Sequence, residues 1–115
     1  MAVDRRPIDQ MVLDVGSDAF QRLARLFEEE TRGAVVALRS LLGTEDWREL
    51  GRQAHSLKHA TSSFGLIDLA AVAALIEKAA DARKGAEAEV QLAALEADVD
   101  DDLAELDRVL KTLGG

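Results

Sequence analysis

Apolar side chains recur at spacings of three and four residues along most of the chain, which is the pattern of helices that bury one face. The first run is short: it begins at Pro7, ends near Gly16 and carries Ile8, Met11 and Val12 on its apolar side. A helix of this length is not stable alone, so we expect it to lie over one end of the other helices.

Four longer runs follow, separated by residues that commonly cap or end helices. Their predicted bounds are Ser17 to Gly43, Thr44 to Gly65, about Leu66 to Gly85 and about Ala86 to Leu113. On the first of these four helices the residues predicted to point inward are Phe20, Leu23, Phe27, Ala34, Leu38, Leu41 and Leu42. On the last, a row of acids is predicted to form a solvated outer face: Asp98, Asp100, Asp101, Asp102 and Glu105.

No alternating run of β-branched residues indicates a strand, and 115 residues suit a single hydrophobic core. Long helices joined by short connections pack as antiparallel neighbours. The predicted fold is therefore all-α, with residues 1–115 forming one domain: an antiparallel up-down-up-down four-helix bundle with a short extra N-terminal helix.

The net charge of −8 and the pI near 4.7 argue against nucleic-acid and anionic-membrane partners, because both bind clustered positive charge. The absence of cysteine excludes disulfides and thiolate chemistry. The first residues lack the apolar segment of a signal peptide, and no run of about 18 apolar residues indicates a membrane span. We therefore expect a cytoplasmic protein that stays monomeric because its surface is charged.

Both histidines lie on the third helix, away from its apolar stripe. That stripe consists of residues at helical spacing: Trp47, Leu50, Ala54, Leu57, Thr61 and Phe64. About 100° further round the helix lies a polar row that contains Gly51, Arg52, His55, Lys58, His59 and Ser62. His55 is thus predicted to project into solvent with a cation one turn to either side.

A histidine between two cations suits the acceptance of a phosphoryl group. Near neutral pH an unperturbed imidazole is largely an uncharged nucleophile, and repulsion by Arg52 and Lys58 favours that form, although Glu49 offsets part of the effect. The same cations would stabilise a dianionic group once it is attached to the ring. Gly51 and Ser62 are small, so we expect them to leave room for another protein to approach.

The polar row belongs to a longer pattern: Ala54-His55-Ser56-Leu57-Lys58, a run of small residues, Phe64-Gly65-Leu66, Leu69 and Leu75-Ile76-Glu77. This pattern resembles the histidine-containing phosphotransfer (HPt) domain of multistep two-component phosphorelays. With the length, the helix count and the short leading helix, the resemblance covers essentially the whole chain. It implies that His55 accepts a phosphoryl group from a phosphoaspartate on one receiver domain and passes it to an aspartate on another, while Lys58 holds the phosphoryl oxygens.

The resemblance also implies the partners, which are response-regulator receiver domains and a sensor histidine kinase of the simple or the hybrid type. Mg²⁺ would be held by the receiver's carboxylates, so we expect no cofactor or metal on this chain. The chain has no glycine-rich nucleotide lid, and we expect a phosphotransfer intermediate without autokinase activity, not an enzyme. A docking rim around the histidine is expected to include Ile8, Met11 and Val12 of the first helix.

Two residues depart from the family pattern. His59 stands where the family usually has glycine or another small residue. It could bind the phosphoryl group, accept a proton, restrict the receivers that fit, or be a neutral surface residue. Glu77 stands where some members have a neutral hydrogen-bonding side chain, and we expect it to point aside because an acid there would repel phosphate.

Two other functions remain open from the sequence. His55 and His59, at i, i+4 spacing, could chelate a metal ion, but no further ligand is evident and Arg52 and Lys58 would repel a cation. Alternatively, the chain is a non-catalytic helical adaptor that binds receiver or kinase domains, with an HPt motif made degenerate by His59.

Overall fold

The computed structural model describes residues 3–113, which form five α-helices. Their bounds are Arg5–Val15 (α1), Ser17–Gly43 (α2), Trp47–Ser63 (α3), Ile67–Asp81 (α4) and Gly85–Leu113 (α5). No strand occurs within the described residues, and the all-helical prediction is confirmed. None of these five helices has both the length and the apolar character needed to cross a membrane.

The caps explain why some helix ends differ from the predicted ones. α1 begins earlier than predicted because the carboxylate of Asp4 accepts a hydrogen bond from the backbone N–H of Arg6 at 3.0 Å. Asp46 caps α3 in a similar way by accepting from the N–H of Glu49 at 3.3 Å. Thr44, predicted to cap α3, instead follows the end of α2, where its hydroxyl donates to carbonyls of the last turn.

The four long helices contact one another in a ring. α2 contacts α3 and α5, and α4 contacts the same two helices from the other side. The molecule is elongated, at 46 × 22 × 20 Å. The core consists of fully buried aliphatic side chains, among them Leu38, Leu50, Leu69, Ile76, Leu92, Leu95, Leu103 and Leu106. α3 and α4 approach closely at small residues, since a Cβ added to Gly51 would lie 3.6 Å from the Cβ of Ala80.

A backbone hydrogen bond attaches the start of α1 to the turn between α3 and α4. The N–H of Asp4 donates to the carbonyl oxygen of Gly65 at 2.8 Å. Gly65 has a φ of +75°, in the left-handed region, and a Cβ there would overlap the backbone carbonyl of Asp4. The turn therefore requires glycine for its conformation and for the approach of α1, whose Ile8 is buried in the core.

The aromatic side chains of the bundle pack against the core, as predicted for Trp47 and Phe64. The ring of Phe64 stacks on Phe27 with a centroid distance of 4.2 Å and on Phe20 at 5.7 Å. Trp47 packs on Gly85, which is the first residue of α5 and not the end of α4. These contacts hold both ends of α3 in the bundle.

Leu23 is not an inward residue, contrary to the prediction. The buried stripe of α2 runs through Phe20, Ala24 and Phe27, which leaves Leu23 beside the stripe and 45% exposed. It borders a surface cleft that also contains Leu26. An apolar surface is therefore exposed on α2.

Asp102 does not lie on the solvated face of α5, where it was predicted. It is spaced by three and four residues from Val99 and Leu106, so it falls on the inward stripe and is only 3% exposed. Neither of its carboxylate oxygens has a hydrogen-bond partner among the described residues. Desolvation, with added repulsion by Asp98 and Asp68, raises the pKa of Asp102 to about 6.

Candidate functional site

Helix α3 carries the predicted polar row on an exposed side of the bundle. Its opposite side is anchored by Leu50, Ala54, Leu57 and Thr61, which are all buried. Thr61 satisfies its hydroxyl within the helix by donating to the carbonyl of Leu57 at 2.8 Å. The buried stripe fixes the rotation of the helix, so the side chain of His55 projects outward with 50% of its surface exposed.

Glu77 of α4 faces His55, and the prediction that it points aside is wrong. Its Oε2 lies 2.8 Å from His55 Nδ1, and its Oε1 lies 3.1 Å from Lys58 Nζ. The acid is accommodated here because two donors bind it, one of them a cation. One carboxylate thus bridges the histidine and the lysine of the predicted site.

The charge of Glu77 determines which nitrogen of His55 carries the hydrogen. Burial raises the pKa of the Glu77 carboxyl, but the hydrogen bonds from Lys58 and His55 outweigh burial and bring that pKa below its usual value. An ionised carboxylate only accepts hydrogen bonds, so His55 Nδ1 must be the donor. The neutral ring of His55 therefore has its lone pair on Nε2.

His59 lies one turn along α3 from His55, and the two rings touch. Their Nε2 atoms are 3.0 Å apart, and the rings meet edge to face with centroids 4.5 Å apart. Because Nε2 of His55 is the acceptor, Nε2 of His59 must be the donor. A line of hydrogen bonds therefore runs from His59 through His55 to Glu77.

Other members of the polar row have different surroundings. Arg52 is exposed, and its guanidinium pairs with Glu49 one turn earlier and not with His55. Ser62 is exposed. Gly51 is buried, and a Cβ added to it would lie 3.3 Å from Asp81 Oδ1. Its assignment to the accessible surface is therefore wrong, because Gly51 lets α3 approach α4 and leaves no room for a partner.

The predicted docking rim is only partly accessible. Ile8 is fully buried in the core, so its inclusion in the rim is wrong. Met11 and Val12 are half-buried at the edge of the core. A shallow cleft of about 230 Å³ between α1, α2 and α3 is lined by Met11, Leu23, Leu26, Phe27, Glu30, Ala60 and Phe64.

The side chains of the site are better suited to bind an anion than a metal ion. Among residues 3–113, no group of three or more histidine or acidic side chains is arranged to hold a metal. The ammonium of Lys58 binds the same carboxylate as His55, so it adds a positive charge beside that histidine. Lys58 and the Nε2–H of His59 are donors that suit the oxygens of a phosphoryl group.

The contact between His55 and Glu77 is the part of the site that sequence reasoning missed. Glu77 follows the buried Ile76, so helical spacing places it at the border of α4 with a neighbouring helix. An acid at such a border, with a lysine and a histidine on the preceding helix, is the signal that could have revealed it.

A comparison with protein families identifies the family of the chain. The family model described as the Hpt domain matches residues 22–115, a range that contains His55, Lys58, His59 and Glu77. No curated protein and no solved structure matches the chain significantly. The family model covers most of the chain, and the chain therefore belongs to the Hpt domain family, whose members take part in two-component phosphorelays.

Proposed function

We propose that this protein relays a phosphoryl group between the aspartates of receiver domains through a phosphohistidine at His55. The observation that carries the proposal is the hydrogen bond from His55 Nδ1 to Glu77, which leaves the lone pair on Nε2. An imidazole nitrogen that carries a lone pair is a nucleophile once the hydrogen bond from His59 to it breaks. Half of the surface of the His55 side chain is accessible to a partner.

In the proposed step, the lone pair on His55 Nε2 attacks the phosphorus of an aspartyl phosphate on the receiver. The N–P bond forms while the P–O bond to the aspartate breaks, and the electron pair of that bond leaves with the aspartate carboxylate. Nδ1 keeps its hydrogen, so the ring becomes a cation whose charge Glu77 balances from 2.8 Å. The reverse step delivers the group to a second receiver.

Lys58 supplies positive charge for the phosphoryl oxygens. Its ammonium is held beside His55 by Glu77, and its side chain is 30% exposed. An ammonium has three donors, so Lys58 can keep its bond to Glu77 while it donates to a phosphoryl oxygen. We propose that Mg²⁺ is held by the carboxylates of the receiver and not by this chain.

The proposed partners are response-regulator receiver domains and an upstream sensor histidine kinase of the simple or the hybrid type. A receiver would dock over the cleft between α1, α2 and α3, where Leu23 and Leu26 are 45% and 50% exposed. Ala60 lines this cleft and adjoins His59 in sequence. A receiver docked there would therefore lie next to the surface of α3 that carries His55 and His59. A small apolar cleft with a polar border suits a transient complex.

The proposal extends to the architecture and the cellular setting. The ring of contacts among α2 to α5 and the short connections between them support an antiparallel up-down-up-down bundle. We propose that residues 1–115 act as one domain and as a monomer in the cytoplasm. The protein would be a phosphoryl carrier without kinase activity, and its net charge of −8 disfavours nucleic-acid and membrane partners.

Transfer of labelled phosphate from a receiver domain phosphorylated on its aspartate tests the proposal. We expect the wild-type protein to acquire an acid-labile label. The His55→Gln protein, which lacks the nucleophilic nitrogen, should acquire none. Lys78→Gln changes an exposed residue of α4 and should be labelled like the wild type. Acid-labile label on the His55→Gln protein would contradict the assignment.

The position of His59 favours a second candidate function, an adaptor that binds receiver or kinase domains without phosphotransfer. The ring of His59 occupies the space next to His55 Nε2, where a phosphoryl group has to arrive. An adaptor would acquire no label in the transfer experiment. Its His55→Gln variant would still bind receivers and support signalling.

A further inference from the structure

The imidazole of His59 contacts Nε2 of His55, the nitrogen that attacks phosphorus in the proposed reaction. Its Nε2 lies 3.0 Å from Nε2 of His55, and the hydrogen bond of Nδ1 to Glu77 makes His59 the donor. In the resting protein the lone pair that would attack phosphorus is therefore engaged by a hydrogen bond. Phosphoryl transfer requires that this bond break.

We propose that His59 is a positioning residue that moves its hydrogen bond from the lone pair of His55 to a phosphoryl oxygen during transfer. This inference rests on the proposed function. Before transfer, the bond from His59 and the bond to Glu77 hold the ring of His55 from both nitrogens. After transfer, Nε2 of His55 has no lone pair in the ring plane, and the nearest acceptors are the phosphoryl oxygens.

The exposure of His59 permits this exchange. Its side chain is exposed at the surface of α3, so rotation away from His55 disturbs no buried packing. The N–P bond forms as the P–O bond of the aspartyl phosphate breaks. The N–H of His59, no longer bound to Nε2, then lies near the anionic oxygens of the phosphoryl group on that nitrogen. A hydrogen bond to a charged phosphoryl oxygen is stronger than one to a neutral ring nitrogen.

Lys58 and His59 would then hold the phosphoryl group from two directions. Lys58 is tied to Glu77 on the side of α4, whereas His59 contacts His55 on the side of its Nε2. A small residue at position 59 would leave the second direction to water. We therefore expect His59 to lengthen the lifetime of the phosphorylated form and to slow its formation, because the lone pair must first be released.

Three substitutions at position 59 separate the hydrogen bond from the bulk of the ring. His59→Ala removes both, His59→Phe keeps the bulk without a donor, and His59→Gln keeps a donor. We expect His59→Ala to accept phosphate several-fold faster and to shorten the half-life of phospho-His55 by about tenfold. His59→Gln should restore most of the half-life, and His59→Phe should not. Ser63→Ala removes an exposed hydroxyl bound to the helix backbone and should match the wild type.

Nitrogen NMR of the unphosphorylated protein tests the resting contact independently of any transfer. The ¹⁵N resonance of His55 Nε2 should move toward that of a nitrogen without a hydrogen bond in His59→Ala and His59→Phe, and less in His59→Gln. If the resonance and the half-life are unchanged in His59→Ala, or if His59→Phe restores the half-life as well as His59→Gln, the inference is wrong. If wild-type protein never forms phospho-His55, the proposed function fails and the exchange fails with it, whatever the resonance shows.

Discussion

His55 Nδ1 lies 2.8 Å from Oε2 of Glu77, so a histidine of α3 and a carboxylate of α4 form a charge-assisted hydrogen bond. The bond fixes the tautomer of the imidazole and places a negative charge where a cation forms when the ring is phosphorylated. It depends on the close packing of α3 on α4, which Gly51 and Ala80 permit. The proposed chemistry therefore depends on how two helices pack, in addition to the residues of one motif.

Replacement of Glu77 by glutamine should slow phosphoryl acceptance by about tenfold. The amide oxygen can still accept a hydrogen bond from His55, but it supplies no charge to balance the ring. Single-turnover rates with a phosphorylated receiver measure the effect. Glu87→Gln removes an exposed charge at the start of α5 and should react like the wild type. A wild-type rate for Glu77→Gln would show that the charge is not needed.

Replacement of Lys58 by methionine should reduce both the rate of acceptance and the half-life of the phosphorylated protein by roughly tenfold. Methionine preserves the length of the side chain and removes the cation. Lys58→Arg should retain most of the activity because it keeps the charge, and Lys78→Met on α4 provides a control for an exposed lysine. Equal losses in Lys58→Met and Lys58→Arg would contradict a role for charge.

Two glycine substitutions should have opposite effects on stability. Gly65→Ala should lower the free energy of unfolding by about 3 kcal/mol or more, because its φ is positive and its Cβ would overlap Asp4. Gly33→Ala, inside α2 with open space around it, should raise that free energy by about 1 kcal/mol. Urea unfolding of both variants provides the measurement. An unchanged midpoint for Gly65→Ala would mean that the attachment of α1 to the turn does not stabilise the fold.

The buried carboxyl of Asp102 should make the protein less stable as the pH rises. Desolvation raises the pKa of Asp102 from 3.8 to about 6, so the folded state binds the proton more tightly than the unfolded state. The resulting stabilisation is complete below about pH 4 and is lost as the pH rises through about 6. The full loss is on the order of 2–3 kcal/mol.

The Asp102→Asn variant should therefore have a higher free energy of unfolding than the wild type at neutral pH and a weaker dependence on pH. Urea unfolding across a series of pH values tests both points, with the exposed Asp101→Asn as the control. Desolvation is the main cause that raises the pKa of Glu28 to about 7. This second acid should therefore preserve part of the decrease in the free energy of unfolding with rising pH. If the free energy of unfolding of Asp102→Asn changed with pH as steeply as that of the wild type, this explanation would be wrong.

The sequence was sufficient to predict the helices and the side of α3 that carries the histidines. Apolar spacing predicts both, and the buried Leu50, Ala54 and Leu57 confirm the rotation of α3. It was not sufficient to predict contacts between helices. Whether Glu77 faces His55 depends on the rotation of α4, and a border position is compatible with pointing toward or away from the neighbouring helix.

The burial of small and acidic residues could not be predicted from the sequence pattern either. Gly51 lies in the polar row, and only the close approach of α4 shows that it is buried. Asp102 has the spacing of an inward residue, but its charge and its acidic neighbours favoured an outer face. Ile8 was predicted to line the docking rim, but it is buried in the core, where the attachment of Asp4 to Gly65 holds the start of α1 against the bundle.

The most direct test of the central claim is a long-range correlation between ³¹P and the ring protons of the phosphorylated protein. Nε2 is bonded to two ring carbons that carry hydrogen, whereas Nδ1 is bonded to only one. We predict a single phosphorus signal coupled to both ring protons of His55. Coupling to one ring proton of His55, or coupling to the ring of His59, would contradict phosphoryl acceptance by Nε2 of His55.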